Sequence, residues 1–348
     1  MQKKINVAFF TDSYLPNKDG VVFVIELLRT YLPLYNVNVK VIISPNVLFS
    51  VPLPFYKDYK FAFIIPSQAE KILRENNIDA LHNHGLGLTA LASVIAAKKL
   101  GIKKIITFHT NVVDATHYLG ILEKPAKYII TKYLRWLFNM HDIIIALSEK
   151  SKNMLIDIGV KKPILVLPTG IEIEKIRMQK KKSRAARKKI NDRIRILFVG
   201  RVVKEKNIDA LIECINKSAL KDRIELLIVG DGPYMNELKE KSPPYVKFYG
   251  WLDKEKLNYF YKNADVLAFP SLFDTQGLVV FEAIANRLPI LALKGTSAEE
   301  YAKHYGSIFT SCNDFDIALK KAIKKNITNI PKFIDIKETC KKYAEIYK

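Results

Sequence analysis

Two carboxylates bracket a helix start in the segment Ser271-Leu-Phe-Asp274-Thr-Gln276-Gly277-Leu278-Val-Val-Phe-Glu282, which follows the apolar run Val-Leu-Ala-Phe at 266–269. The free amides at such a start can hold a phosphate. A carboxylate just before it and another about one turn in can hold hydroxyls on either side of that phosphate. A second group, Gly200-Arg201-Val-Val-Lys204-Glu-Lys206, follows the run Ile-Leu-Phe-Val at 196–199. Two cations at a strand end suit a diphosphate leaving group, whose charge grows as the bond to it breaks. Sugar hydroxyls, diphosphate and ribose are the three contacts a nucleotide sugar requires. Taken singly, Asp274 reads more readily as a helix-start acid, Glu282 as a surface glutamate, and Arg201 and Lys206 as solvated cations. Their joint spacing favours the chemical reading.

Histidines supply the next set. His109 stands at a strand end in Thr107-Phe-His109-Thr, either as a ligand contact or as a hydrogen-bonded core residue. His82 and His84 are read as pointing to opposite faces of their strand, a poor pair for a metal, with His84 a candidate for the ligand side. His117, His141 and His304 are read as structural or surface. Asp12 either orients an acceptor or caps its loop. No metal site and no cofactor is expected. A dinucleotide enzyme would carry G-x-G-x-x-G directly after its first strand. Here that strand runs into Thr11–Gly20 with a single glycine, and Gly230-Asp-Gly232 lacks the third. There is no P-loop.

Short apolar strands alternating with helical stretches must position these groups. Strands are expected at Ile5–Phe10, Ala80–His82, Lys104–Phe108, Arg195–Val199 and Val266–Phe269, and the motif helix near Val279–Asn286. The pattern starts afresh after a basic segment. It implies an α/β protein with parallel sheets covered on both faces, in two Rossmann-like domains facing each other across a cleft. The expected boundaries are 1–168 for an acceptor-side domain, 169–190 for a linker, 191–330 for a nucleotide-sugar domain and 331–348 for a terminal helix. Ligands of open parallel sheets bind at the carboxyl ends of the strands.

The 348 residues carry a net charge of +21, which draws a protein toward polyanions. Residues 1–168 contribute +9, and Lys175–Lys189 holds nine basic residues and no acidic one. That cluster has no aromatic residue for base stacking, so nucleic acid is not an expected partner. Lys124–Phe138 mixes cations with aromatics at helical spacing, which fits either a core helix with a basic outer face or membrane contact. Three cysteines, Cys214, Cys312 and Cys340, are read as too scattered for a disulfide framework, so a reducing compartment is the default. No run is long and apolar enough for a membrane span or a signal peptide, and a cytoplasmic protein is expected.

At this point the chain resembles the retaining GT-B glycosyltransferases of family four. The resemblance rests on Phe10-Thr-Asp12-Ser-Tyr14-Leu-Pro, His82-Asn-His84, Thr107-Phe-His109-Thr, Pro168-Thr-Gly-Ile-Glu172, Gly200-Arg201 with Lys206, and the Asp274–Glu282 motif. It implies that Arg201 and Lys206 clamp the diphosphate, that Glu282 takes the ribose, and that Asp274 and His109 touch the donor sugar. It further implies a donor site completed by Gly20, Gly200, Gln276, Gly277 and Leu278, with the base near Gly250-Trp251. Asp12, Tyr14, His84 and Asp114 are the acceptor candidates. Terminal helices that cross back to the first domain are expected from Phe333–Lys348.

Within the family, Asp-Thr-Gln-Gly-Leu and Thr110-Asn-Val-Val-Asp114-Ala-Thr-His117-Tyr118 resemble enzymes acting on membrane lipids such as diacylglycerol. The implied partners are a uridine or guanosine diphosphate sugar, a lipid acceptor and an anionic membrane surface, with the protein peripheral on the inner face of the cell membrane. The implied reaction is hexose transfer with retention, by same-face attack assisted by the leaving diphosphate. Three features depart from the family pattern: Asp274 stands for its glutamate, Asp19-Gly20 for its paired glycines, and Arg287 for the glycine after the motif helix. The competing readings are transfer to a soluble sugar, sugar-nucleotide epimerisation, and nucleic-acid binding on net charge alone.

Overall fold

The computed structural model describes residues 4–12, 14, 20–43, 52–53, 56–60, 64–113, 116, 120, 122–178 and 193–348. Two compact units emerge. The first comprises residues 1–170 with 335–348, and the second residues 171–334. Asp19, Asp114, His117, Tyr118 and residues 179–190 of the basic segment lie outside the described residues.

In the first unit the order is β1 (Ile5–Thr11), α1 (Gly20–Tyr31), β2 (Val37–Ile43), β3 (Pro52–Leu53), β4 (Tyr56–Lys60), α2 (Pro66–Glu75), β5 (Ala80–Asn83), α3 (Leu88–Leu100), β6 (Lys103–Phe108), α4 (Glu123–Asn139), β7 (Ile143–Ala146), α5 (Glu149–Ile158) and β8 (Ile164–Val166). Six strands pair in parallel in the order β2-β1-β5-β6-β7-β8, and β3 and β4 form a separate antiparallel pair. The strands are short, apolar and buried because helices cover both faces, which is why they read as apolar runs and not as alternating ones. Helix ends carry the expected signals. Ser148 accepts from the Ser151 amide to open α5, and left-handed Gly101 and Gly159 close α3 and α5.

The second unit runs α6 (Ile173–Met178), β9 (Ile194–Val199), α7 (Ile208–Lys217), β10 (Ile224–Val229), α8 (Met235–Lys241), β11 (Val246–Phe248), α9 (Lys254–Asn263), β12 (Val266–Phe269), α10 (Leu278–Ala285), β13 (Ile290–Leu293), α11 (Glu299–Tyr305), β14 (Gly306–Phe309) and α12 (Phe315–Lys324). Its parallel sheet has the order β11-β10-β9-β12-β13-β14. Successive residues of β9 divide between two cores: Ile196 and Phe198 pack with α7 and α12 residues, Leu197 with α9 and α10 residues. α13 (Ile336–Tyr347) then packs in the first unit, against α1.

The structure corrects one reading of the cysteines. Cys214 of α7 and Cys312, just after β14, form a disulfide, although 98 residues separate them. Both belong to the core on one face of the sheet. Sequence spacing concealed this proximity because the crossovers of a parallel sheet bring distant segments together. Cys340 is free and buried.

Candidate active site

In both units the candidate residues gather where the strand order reverses, between β9 and β12 in the second and between β1 and β5 in the first. The loops leaving such neighbouring strands diverge to opposite faces and open a crevice at their carboxyl ends.

In the second unit β9 delivers Gly200, whose amide donates to the Val229 carbonyl (3.0 Å), followed by exposed Arg201. A single 3-10 turn, Lys204–Lys206, then leads through Asn207 into α7. The turn is held against the end of β12, since Asn207 Nδ2 donates to the Pro270 carbonyl and Ser271 Oγ to the Glu205 carbonyl. This brings Lys206 Nζ to 2.5 Å from Asp274 Oδ1. Residues assigned separately to diphosphate and sugar thus form one half-buried ion pair.

Gly277 opens α10 with φ of 80°, and a side chain there would sit 2.5 Å from the Phe269 ring, so only glycine fits. Gln276 is buried before it, its carbonyl accepting from Ser297 Oγ, and half-buried Leu278 follows. Further along α10, Glu282 is half-buried and its Oε2 accepts from the hydroxyl of buried Tyr261 in α9 at 2.6 Å. Burial raises the Glu282 carboxyl above its ordinary range, while Tyr261 and Lys254 pull it the other way. Trp251 follows left-handed Gly250 and is 65% exposed.

In the first unit Asp12 leaves β1 and turns under the loop after β5. Its Oδ2 accepts from the Gly87 amide (2.9 Å), and a side chain at Gly85 would come within 2.1 Å of that oxygen. Burial raises the Asp12 carboxyl, although donors on Gly87, Thr89 and Leu86 lower it. Its Oδ1 has no hydrogen-bond partner among the described residues, and neither does Nε2 of buried His84. His84 Nδ1 lies 2.9 Å from His109 Nε2, at the end of β6.

The opposite-face reading of His82 and His84 is overturned. Their ring centroids are 4.1 Å apart, and both contact Phe9. Residues two apart on a strand share a face, and Asn83 between them faces His141 instead. Among the described residues no group of three or more His, Cys, Asp or Glu is arranged to hold a metal ion.

Comparison with known proteins identifies the architecture. Residues 11–175 match the family described as Glycosyltransferase Family 4, and residues 179–345 that described as Glycosyl transferases group 1. The chain is 30% identical over 318 residues to an alpha-monoglucosyldiacylglycerol synthase of Streptococcus pneumoniae, covering 83% of this chain and 71% of that one. An alpha-monoglucosyldiacylglycerol synthase of Acholeplasma laidlawii is 26% identical over 324 residues, 82% and 80% of the two chains. The Anabaena HepE structure in complex with UDP-glucose superposes with a TM-score of 0.65 at 15% identity, covering 99% of this chain and 95% of that one. The chain belongs to the family-four GT-B glycosyltransferases.

This glycosyltransferase is an enzyme of the hexosyltransferase kind, and its relatives include the diacylglycerol-lipid subgroup. Its own geometry groups Lys206, Asp274, Gly277 and Glu282 in one unit, and Asp12, His84 and His109 in the other. Tyr14 goes elsewhere: its hydroxyl donates to Glu26 of α1, and burial and that carboxylate push it up to about 12. Gly20 is exposed at the first position of α1. Sequence reading missed Tyr261, whose only local signal is an aromatic on the inner side of α9. It also missed Tyr343 and Tyr347, which belong to the buried face of α13.

Proposed function

We propose that this glycosyltransferase moves a hexose from a uridine or guanosine diphosphate sugar to a hydroxyl of a diacylglycerol-type membrane lipid, with retention at the anomeric carbon. The observation that carries the donor reading is the Lys206–Asp274 pair beside the Gly277-opened helix, with half-buried Glu282 one turn in. In this reading Arg201 and Lys206 neutralise the diphosphate, and Glu282 takes the ribose. Gly20, Gly200, Gln276 and Leu278 shape the donor site, and Trp251 borders the base. Asp274 and His109 meet the transferred sugar. Asp12 and His84 serve the acceptor, with Tyr14, bonded to Glu26, and Asp114, outside the described residues, as further candidates. No side chain is assigned as a covalent nucleophile, so the departing diphosphate assists attack from the same face.

The lipid acceptor is supported by the two relatives named as diacylglycerol glycosyltransferases and by α4. Leu134, Leu137 and Phe138 of that helix are buried, whereas Tyr128, Ile129 and Trp136 are 60%, 63% and 51% exposed on its other side. Lys132 lies over the Tyr128 ring at 4.3 Å. Exposed aromatics interleaved with lysines suit a peripheral position on an anionic membrane surface, at the inner face of the cell membrane. No helix among the described residues is long and apolar enough to cross a membrane.

The test combines a thermal-shift panel of nucleotide sugars with transfer assays on vesicles. A donor at about 100 times its Kd raises stability by about 2.7 kcal/mol. UDP-glucose should then label dioleoylglycerol in anionic vesicles, with sedimentation on such vesicles that weakens as salt rises. Binding of a donor with transfer only to soluble sugars would replace the lipid reading.

A further inference from the structure

α13 reaches the buried histidines of the first unit through two tyrosines. The Tyr347 hydroxyl is 2.7 Å from His82 Nδ1, and His82 Nε2 is 2.7 Å from Thr107 Oγ1. Thr107 Oγ1 lies 3.4 Å from the Tyr343 hydroxyl. Tyr343 and Tyr347 stack at 5.9 Å, and each approaches the His82 ring. All four side chains are buried. On the other side of His82, the His84 ring packs at 4.1 Å and bonds onward to His109. A continuous chain of contacts therefore runs from α13 to the histidine at the end of β6.

The chemistry of this chain restricts what His82 can do. Each of its ring nitrogens meets a hydroxyl that can donate or accept, so both nitrogens of a neutral ring are satisfied and the ring is held in one orientation. Burial, reinforced by His109 and His141, drives the His82 pKa well below 6.5 and supports the same state. A ring fixed in this way gives His84 a defined surface to pack on. His84 Nδ1 in turn fixes the rotation of His109 through its Nε2. Loss of the Tyr347 hydroxyl would leave one His82 nitrogen buried and unpaired, releasing the ring to turn and the stack to shift.

We propose that Tyr347 is a positioning residue for glycosyl transfer, acting through His82 and His84 on the orientation of His109. The proposal rests on the reading above that His109 meets the transferred sugar. It goes beyond that reading in placing part of the active-site architecture on α13.

Three variants of the full chain test it: Tyr347→Phe, His109→Ala, and Cys340→Ala as a packing control on the same helix. Transfer from UDP-glucose to dioleoylglycerol in anionic vesicles is measured well below each Tm, and 15N-histidine spectra are recorded without substrate. Tyr347→Phe should lower kcat about tenfold, leave KM for UDP-glucose within about twofold, and move the His109 ring resonances. Cys340→Ala should lower Tm yet leave kcat within about twofold and the His109 resonances in place. Unmoved His109 resonances in Tyr347→Phe, or an equal kcat loss in Cys340→Ala, would overturn the proposal. His109→Ala inactive with Tyr347→Phe unimpaired overturns it alone, whereas full turnover in His109→Ala overturns the underlying reading of the site.

Discussion

Replacing Tyr261 by phenylalanine should destabilise the enzyme by an amount that grows with pH. The change deletes one hydroxyl and leaves the ring in place, and that hydroxyl donates at 2.6 Å to the half-buried Glu282 carboxylate. Burial lifts the Glu282 carboxyl above its ordinary value of 4.5, so the folded state holds the proton more tightly than the unfolded chain does. Stability linked to that proton is fully present below the unfolded pKa and is lost as pH rises through the folded one. Without Tyr261, which lowers the Glu282 pKa, the folded value climbs further and the loss at high pH deepens. A hydrogen bond between neutral groups contributes about 1 kcal/mol net, and one to a charged group about 1.5–3 kcal/mol. The deficit of Tyr261→Phe should therefore be about 1 kcal/mol near pH 4 and about 2–3 kcal/mol near pH 8.

Urea unfolding of wild type and Tyr261→Phe at the two pH values measures both deficits. A companion variant, Glu282→Gln, separates stability from function, because it removes the charge and keeps the shape. It should be at least as stable as wild type at pH 8 and should bind UDP about tenfold more weakly if the carboxylate takes the ribose. Equal deficits of Tyr261→Phe at both pH values, or a larger one at the acid end, would refute the argument. Such a result would show that Glu282 does not ionise against this hydroxyl.

Other outcomes follow from the same sites. Arg201→Ala and Lys206→Ala should each lower kcat by about 10²–10³ if, as proposed, they remove cations aimed at developing charge. The half-exposed Lys206–Asp274 pair should contribute only about 1 kcal/mol or less to stability, so the melting curve of Lys206→Ala should barely move. Asp274→Ala should depress transfer while leaving UDP affinity, measured calorimetrically, nearly unchanged. Arg287 sits with φ of 58° after α10, where its amide donates to the Ile284 carbonyl and that of Leu288 to the Ala283 carbonyl. That left-handed position suits glycine, so Arg287→Gly should raise stability by up to about 1 kcal/mol in urea unfolding without altering turnover.

How far the sequence could be read depended on whether the informative residues were neighbours along the chain. The Ile-Leu-Phe-Val run of β9, the Val-Leu-Ala-Phe run of β12 and the glycine opening α10 are local signals, and each lies where the spacing placed it. The Lys206–Asp274 contact was not legible: the family resemblance gave the two residues to diphosphate and sugar separately, and 68 residues separate them. Tyr261 with Glu282, His82 with Tyr347, and Cys214 with Cys312 come together through crossovers that no periodicity encodes. The error over His82 and His84 was of another kind. The alternation of a strand itself predicts that residues two apart share a face.

The position of Asp12 explains why the first unit tolerates a polar site that it does not satisfy internally. A buried oxygen or ring nitrogen left unpaired costs about 1–3 kcal/mol, and Asp12 Oδ1 and His84 Nε2 are two such atoms in adjacent loops. Glycine at 85 leaves room for Asp12, since a Cβ there would lie 2.1 Å from Oδ2, and that oxygen accepts from the Gly87 amide. A carboxyl raised by burial can present either a proton or a lone pair at that second oxygen. A sugar or glycerol hydroxyl is matched to both states, since it donates and accepts through one atom. Strand order makes this outcome natural. β1 and β5 are the neighbours whose connections leave in opposite directions, which places Asp12 and His84 together at the carboxyl ends of the strands. In the proposed reading, these two unpaired atoms exchange stability for the ability to bind an acceptor hydroxyl.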